Sequence, residues 1–190
     1  WVYAAIDGDQ EAFAELVYSF QDPVYNLCYR MLNDAAEAED AAQEAFLRAY
    51  NNLERYDHDR SFKTWVMSIA SNHCIDRIRK RRMHYVSIDE PIPETLSLSS
   101  DDPLPEQAVL SNERSQRIQE LLDQLQPDYR AAVVLRYWYD YSYAEIAEAL
   151  DSTESAIKSR LFRARQMLGN LISPVDAPTD DDNRTSRLSL

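Results

Sequence analysis

The sequence predicts an all-α protein made of two small helical domains joined by an acidic, proline-containing linker. Only two glycines occur among 190 residues, and runs of strand-favouring residues are short. Apolar residues recur at three- to four-residue spacing over most of the chain, which is typical of helices with one buried face. Hydrophobic residues make up 45% of the chain, which is enough for packed cores.

Residues 1–85 are predicted to form an N-terminal helical bundle. An apolar stripe over residues 12–20 stops at Pro23 and restarts after it, so we expect Pro23 to interrupt the first long helix. Asn33 and Asp34 are predicted to end this segment and to cap a helix over residues 38–53. Residues 54–60 have no period and are predicted to be a loop, after which Ser61 caps a helix that continues to His84.

Residues 86–110 are predicted to be the linker between the domains. Prolines there lie among serines and acids, and proline favours extended backbone over helix. These prolines are Pro91, Pro93, Pro103 and Pro105. The second domain, 111–172, is predicted to contain a helix from residue 110 that ends at Pro127 and helices over residues 129–139 and 143–150. A long helix to about residue 171 is predicted after a break at residues 151–153. Residues 173–190 are polar and acidic and are predicted to be a disordered tail.

Charge is distributed unevenly along a chain whose net charge is −13. Residues 1–60 carry 4 basic and 13 acidic side chains, whereas residues 61–85 carry 6 basic and 1 acidic. Residues 86–127 carry 2 basic and 9 acidic side chains, and residues 151–170 carry 4 basic and 2 acidic. The net acidity argues against nucleic-acid binding, but the two basic islands each coincide with a predicted helix and favour it locally.

The second basic island has the spacing of a helix–turn–helix motif. A short helix, a break at residues 151–153 and a second helix follow one another, and the second helix has one apolar and one basic face. Such a helix fits the major groove, where arginine and lysine bind base edges and phosphates. A solvated surface helix is the alternative. The predicted duplex contacts are Lys158, Ser159, Arg160, Phe162, Arg163 and Arg165.

The first basic island combines cations with aromatic residues, as proteins that bind single-stranded nucleic acid do. A base removed from a duplex needs a pocket that offers stacking and hydrogen bonds. Trp65 and Phe62 are expected in the core, and the basic run could instead be a solvated helix end. The predicted single-strand contacts are Tyr56, His58, Arg60, Lys63, Asn72, Arg77, Arg79, Lys80 and Arg81.

Other functional classes lack support in the sequence. No glycine-rich phosphate loop and no nucleophile–base set is visible, so we expect no enzyme, no catalytic residue and no cofactor. Two cysteines and three scattered histidines predict neither a metal site nor a disulfide framework. With no run of eighteen apolar residues and no secretion signal, we expect no membrane insertion and a cytoplasmic location.

Several segments together resemble the extracytoplasmic-function group of bacterial RNA polymerase sigma factors. In the first domain these are Gly8–Phe13, Ala38–Leu47 and Phe62–Arg77, and in the second they are Tyr143–Ala147 and Ile157–Arg165. The resemblance covers roughly residues 5–170 in the family's order and spacing. Asp151 departs from it, standing where the family often has glycine, although aspartate tolerates a left-handed turn better than most residues.

The resemblance implies a sigma factor that binds core polymerase, recognises −35 and −10 promoter elements and promotes promoter melting. The second domain would bind the −35 duplex and the first the −10 single strand. Partners would be the clamp helices of the largest polymerase subunit, the flap of the second-largest, promoter DNA and, as a candidate, an anti-sigma factor. The implied clamp contacts are Asp40, Gln43, Glu44 and Leu47.

The acidic linker and the overall function each leave an alternative open. In the family the linker follows the polymerase's RNA path, so its acids could mimic phosphates, or it could be a soluble tether. These acids are Asp89, Glu90, Glu94, Asp101, Asp102 and Glu106. A stand-alone DNA-binding regulator would explain residues 142–166, but it leaves the helix containing Asp40 and Glu44 without a role.

Overall fold

The computed structural model describes the backbone of residues 1–86 and 106–172 and the side chains of residues 1–83 and 113–172. The side chains of the linker acids named above lie outside these described residues, and so does the whole tail, 173–190. Every regular element described is helical, which confirms the all-α class. The helices are α1 (Val2–Ile6), α2 (Gln10–Leu32), α3 (Ala35–Asn51), a short 3₁₀ turn (Leu53–Arg55), α4 (Phe62–Val86), α5 (Glu106–Asp123), α6 (Pro127–Trp138), α7 (Tyr143–Ala149) and α8 (Glu154–Ile172).

Side-chain caps define the ends of the first-domain helices. Asn33 ends α2 in the left-handed conformation, with φ of 56°. Asp34 then accepts a hydrogen bond from the amide of Glu37 at 2.8 Å and begins α3. Ser61 accepts one from the amide of Thr64 at 3.1 Å and begins α4. These short polar residues satisfy amides that have no partner within the helix, as the sequence predicted.

The prediction that Pro23 interrupts a helix is wrong, because α2 continues through it as one helix of 23 residues. A proline inside a helix removes one backbone hydrogen bond and crowds the preceding turn. Packing compensates here, since Leu16, Val24 and Leu27 on both sides of Pro23 are buried in one core. The tertiary contacts of a long amphipathic helix outweigh the local cost of the proline.

The helix α5 begins earlier than predicted, at Glu106, within the range assigned to the linker. Pro105 is the last proline before Pro127, so no residue between them prevents a helix. Pro127 itself occupies the first turn of α6, where its missing amide costs nothing.

Each domain has an apolar core formed by three principal helices. In the first, α2, α3 and α4 pack together around Met31, Phe46 and Met67. Cys28 and Cys74 are free thiols in this core, and the hydrogen bond with Cys28, together with burial, raises the pKa of Cys74. In the second, α6, α7 and α8 enclose Leu135, Ile146 and Leu161. Among the residues that the structure describes, no helix combines the length and apolarity that a membrane span needs.

The two domains pack against each other, with α6 and α7 against α4 and with α5 and α6 against α2. Arg130 on α6 is only 4% exposed. Its guanidinium donates to the carbonyl of Met31 at 2.5 Å and to the carboxylate of Asp123 at 2.8 Å. Asn33 donates to the same carboxylate at 2.5 Å. Arg130 of the second domain thereby provides a hydrogen-bond donor for a backbone carbonyl at the carboxyl end of α2.

Candidate nucleic-acid interface

The helix α8 presents a continuous basic face to solvent. Ile157, Leu161 and Ala164 are buried at spacings of four and three residues, so the opposite face of α8 points to solvent. Of the predicted duplex contacts, Phe162 is 55% exposed, and Lys158, Ser159, Arg163 and Arg165 are exposed too. Arg160 is half-buried, with one terminal nitrogen enclosed and unpartnered within the described structure.

The turn before α8 has the geometry that a helix–turn–helix requires. Ser142 and Glu145 form a reciprocal capping box at the start of α7. Asp151 adopts a left-handed conformation with φ of 46°, as the sequence analysis expected for this position. Thr153 then caps α8 by accepting from the amide of Ala156 at 3.2 Å. These contacts define where α7 ends and where α8 begins.

The predicted single-strand contacts are distributed between the core, the loop and α4. Tyr56 is buried, and its hydroxyl donates to the carbonyl of Arg60. His58 is exposed and stacks on Tyr3, with the ring centroids 5.2 Å apart. On α4, Asn72 and Lys80 are exposed, whereas Lys63 and Arg77 are half-buried. The structure therefore assigns Tyr56 a packing role in this arrangement and leaves several of the polar residues accessible.

A pocket of about 400 Å³ lies beside α4, between this helix and the end of α3. Trp65, Ser68, Ile69 and Asn72 line it from α4 at helical spacing, so one face of that helix forms a wall. Arg48, Asn52 and Arg55 line it from the other side. An indole, two amides and two guanidiniums can stack on a base, bond its edge and neutralise its phosphate.

Among the residues that line this pocket, only Asn72 was predicted from the sequence as a contact. The spacing of residues 65, 68, 69 and 72 on one helical face was visible in the sequence. The contribution of Arg48 and Arg55 was not, because it depends on how α3 packs on α4.

The second domain covers part of this surface. The amide of Asn72 donates to the carbonyl of Ala149 at 3.1 Å. Arg60 forms an ion pair with Glu148, and Arg79 forms one with Asp128 at 2.8 Å. The ammonium of Lys63 lies 5.9 Å from the centre of the Tyr139 ring. Several predicted single-strand contacts are thus held by the second domain in this arrangement.

The α3 helix presents a separate, mostly acidic surface. Asp40, Gln43, Glu44 and Leu47 share one helical face, and Leu47 is 58% exposed. Glu44 pairs with Arg48 at 2.7 Å, and this hydrogen bond holds the pKa of Glu44 below its usual value. This face combines one exposed apolar side chain with acidic and amide groups.

Metal-binding chemistry is not visible in the described part of the chain, where no three His, Cys, Asp or Glu side chains converge. The interfaces above consist of cations, amides, aromatics and carboxylates.

Comparison with known proteins identifies both domains. Residues 16–83 match the family model described as Sigma-70 region 2, and residues 115–168 match that described as Sigma-70, region 4. The ECF RNA polymerase sigma factor SigW of Bacillus subtilis (strain 168) is 44% identical over 167 residues, covering 85% of this chain and 89% of the relative. The ECF RNA polymerase sigma-E factor of Escherichia coli (strain K12) is 33% identical over 173 residues, covering 88% and 90%.

Two solved structures share the fold. One is CnrH in complex with the cytosolic domain of CnrY, with a TM-score of 0.66 at 22% identity, covering 90% of this chain and 93% of that one. The other is the sigma factor RpoE with the anti-sigma factor NepR from Bartonella quintana, with a TM-score of 0.64 at 21% identity, covering 85% and 96%.

Proposed function

This chain belongs to the ECF sigma factors of RNA polymerase, and from that premise we propose how its residues divide the recognition of a promoter. As a sigma factor it binds core polymerase and promoter DNA and initiates transcription without being an enzyme. The matches at 16–83 and 115–168 support the domain ranges 1–85 and 111–172 that we propose. The linker lies between them, and α5 already begins at Glu106.

The second domain binds the −35 element as duplex through α8. The observation that carries this proposal is the basic face of that helix. Among the described residues, no ion pair ties up any of its four cations. Unpaired cations beside Ser159 and Phe162 suit phosphates, base edges and the thymine methyl group. Arg160, being half-buried, contributes to the packing of α8 as well as to the charge of its surface.

The first domain binds the −10 element as a single strand through α4 and its pocket. Trp65 stacks on an extruded base, Asn72 bonds its edge, and Arg48 and Arg55 bind the adjoining phosphates. Arg77, Arg79, Lys80 and Arg81 extend the cationic path along α4. Lys63, His58 and Arg60 border it, and Tyr56 acts indirectly by holding the loop in place.

The exposed face of α3 contacts the clamp helices of the largest polymerase subunit, through the four residues on that face, while the second domain meets the flap of the second-largest subunit. We place the protein in the cytoplasm, where core polymerase and promoter DNA are found. An anti-sigma factor is a candidate partner, since a solved structure of the same fold is a complex with one.

Binding both promoter elements requires the two domains to separate. Asn72 and Arg60 are occupied by Ala149 and Glu148, so the −10 surface is incomplete while the second domain rests on it. Core polymerase holds the domains apart at the spacing of the promoter and thereby exposes the −10 surface, while the basic face of α8 is already open to solvent. The described arrangement is accordingly a resting state of the free chain.

Replacing Arg163 tests the assignment of the −35 element. We expect Arg163→Ala to lower initiation by reconstituted holoenzyme about tenfold on a promoter selected with the wild-type protein, since one bidentate base contact contributes ~1–3 kcal/mol. Co-purification with core polymerase should persist. The matched control is Arg114→Ala, which removes an exposed arginine from α5.

A stand-alone regulator would give a different pattern in the same assays. Such a protein would bind duplex operator without polymerase and would not direct run-off transcription by core enzyme. If Arg163→Ala abolishes core binding, or leaves initiation at its wild-type level, α8 is not the −35 contact.

A further inference from the structure

We infer that three tyrosines of the second domain, Tyr129, Tyr137 and Tyr143, are positioning residues that orient the cations of α8 for DNA. This inference rests on the proposed role of α8 at the −35 element. It adds residues outside the helix proposed to touch DNA, and together they contact three cations of that helix. The three contacts have one feature in common: none of them involves a carboxylate.

Tyr143 links Lys158 to an anchored arginine. It is the first residue of α7, where the capping box fixes the backbone. Arg136 is held from the other side, because its guanidinium donates to the carbonyl of Tyr141 at 2.7 Å. The centre of the Tyr143 ring lies 5.3 Å from the guanidinium carbon of Arg136 and 5.8 Å from the ammonium of Lys158. The ring therefore attracts the exposed Lys158 toward a fixed part of the domain.

Tyr129 and Tyr137 hold the two arginines farther along α8. Both tyrosines belong to α6, which packs directly on α8. The hydroxyl of Tyr129 accepts a hydrogen bond from Arg163 at 3.4 Å, and that of Tyr137 accepts one from Arg165 at 3.4 Å. These long hydrogen bonds restrict the arginines without holding them as tightly as an ion pair would.

Contacts with tyrosine, unlike contacts with a carboxylate, preserve the positive charge of the surface of α8. In the first domain, Arg60, Arg79 and Arg81 pair with carboxylates, which neutralises part of their field. A tyrosine hydroxyl or ring orients a cation and leaves its full charge available to a base edge in the major groove. Lysine and arginine lose much rotamer freedom when they bind, so cations that are already oriented bind with a smaller entropic loss.

The test uses full-length protein reconstituted with core polymerase. Two DNA duplexes serve as probes: a promoter selected with the wild-type holoenzyme and the same promoter with its upstream element scrambled. One variant combines Tyr129→Phe with Tyr137→Phe, which removes only the two hydroxyls. A second is Tyr143→Leu, which removes the ring, and its conservative partner is Tyr143→Phe. Tyr18→Phe, at an exposed position on α2, is the matched control.

We expect the double variant and Tyr143→Leu each to weaken binding of the intact promoter about 2- to 10-fold, the range expected for one or two side chains that must be ordered on binding. Binding of the scrambled promoter should stay unchanged, so discrimination between the two probes falls. Tyr143→Phe keeps the ring that faces Lys158 and loses only the hydroxyl, which also lies close to Arg165, so it should retain most of the discrimination that Tyr143→Leu loses. Tyr18→Phe should behave as wild type. The temperature of unfolding should be the same for the double variant and the wild type.

Two outcomes overturn the inference. Equal losses on both probes, or a lowered unfolding temperature that accounts for the loss, would show that the tyrosines only stabilise the domain. Wild-type discrimination by all tyrosine variants, beside a clear loss in Arg163→Ala, would remove their positioning role and leave the proposed function intact. If Arg163→Ala discriminates as well as wild type, the proposed function itself fails.

Discussion

The side-chain amide of Asn72, in the helix proposed to bind the −10 strand, donates a hydrogen bond to the backbone carbonyl of Ala149, at the end of the first helix of the helix–turn–helix. This contact joins the proposed −10 surface of the first domain to the helix–turn–helix of the second. Around it, Arg60 pairs with Glu148, and Tyr139 donates to the carbonyl of Pro23 at 2.7 Å. Polar groups of the first domain that are proposed to bind nucleic acid therefore already contact the second domain. They cannot bind both at once.

Reversing the charge of Glu148 should open this arrangement. In Glu148→Arg, two arginines face each other where an ion pair stood, a change of ~1 kcal/mol for partly exposed groups. We expect the free protein to bind single-stranded −10 DNA about fivefold more tightly, measured by fluorescence anisotropy. Glu15→Arg makes the same charge change on an exposed part of α2 and controls for simple electrostatic attraction. Equal gains in both variants would contradict the occlusion of α4.

The buried ion pair of Arg130 and Asp123 should contribute little net stability although breaking it is costly. Burial lowers the pKa of Arg130 and raises that of Asp123, so both charges are desolvated. We expect Arg130→Met to lower the free energy of unfolding by about 3 kcal/mol, because Asp123 loses its partner. Adding Asp123→Leu should restore much of this loss, as measured by urea denaturation.

The exposed pair of Arg117 and Glu120 provides the comparison. Arg117→Met should change the free energy of unfolding by less than ~1 kcal/mol, since surface ion pairs contribute little. Additive costs of the two substitutions at Arg130 and Asp123 would show that they do not act as a pair.

Removing two acids from α3 should weaken association with core polymerase. The double variant Asp40→Ala with Glu44→Ala leaves the core of the first domain untouched and also frees Arg48 from its ion pair. We expect co-purification with core to fall about tenfold or more, as for polar groups at the centre of an interface. Glu11→Ala with Glu15→Ala, two exposed acids on α2, is the control. Undiminished co-purification would remove this face from the polymerase interface.

Trp65 should affect promoter opening more than upstream recognition. If a base stacks on its indole, Trp65→Leu should lower the yield of open complex about tenfold, since stacking contributes ~1–3 kcal/mol per base. Trp65→Phe keeps an aromatic surface and should retain most of the yield. Permanganate footprinting of the melted region measures it. Because Trp65 also packs against Tyr56, with the ring centroids 5.0 Å apart, thermal unfolding must be followed in parallel. Equal yields from both variants would exclude stacking on this residue.

The sequence alone predicted most of the helices, because caps such as Asp34 and Ser61 and the apolar period are local signals. It failed at Pro23, where burial on both sides of the proline outweighs a local rule. It identified the basic face of α8, since helical spacing determines which side chains share a face. It could not predict the pairing of Arg60 with Glu148, or the pocket wall formed by Arg48, because these depend on how separate helices pack.

His73 should make the stability of the protein depend on pH near neutrality. Burial is the main cause that lowers its pKa, followed by the charges of Arg48 and Arg77, against which Glu44 and Asp76 act weakly. Its Nε2 atom is enclosed and has no hydrogen-bond partner among the described residues, so protonation there gains no acceptor. The folded chain therefore keeps His73 neutral at a pH where the unfolded chain has already taken up a proton.

The sign of the effect follows from this difference in proton binding. Stability from His73 is fully present above about pH 6.5, the ordinary pKa of histidine, and is lost as the pH falls below it. The slope can reach at most about 1.4 kcal/mol per pH unit for one proton. We expect His73→Gln to flatten the fall in unfolding free energy below about pH 6.5, measured by urea denaturation at each pH. His58→Gln, at an exposed position, should keep the wild-type dependence. Parallel curves for wild type and His73→Gln would show that another group controls stability in this range.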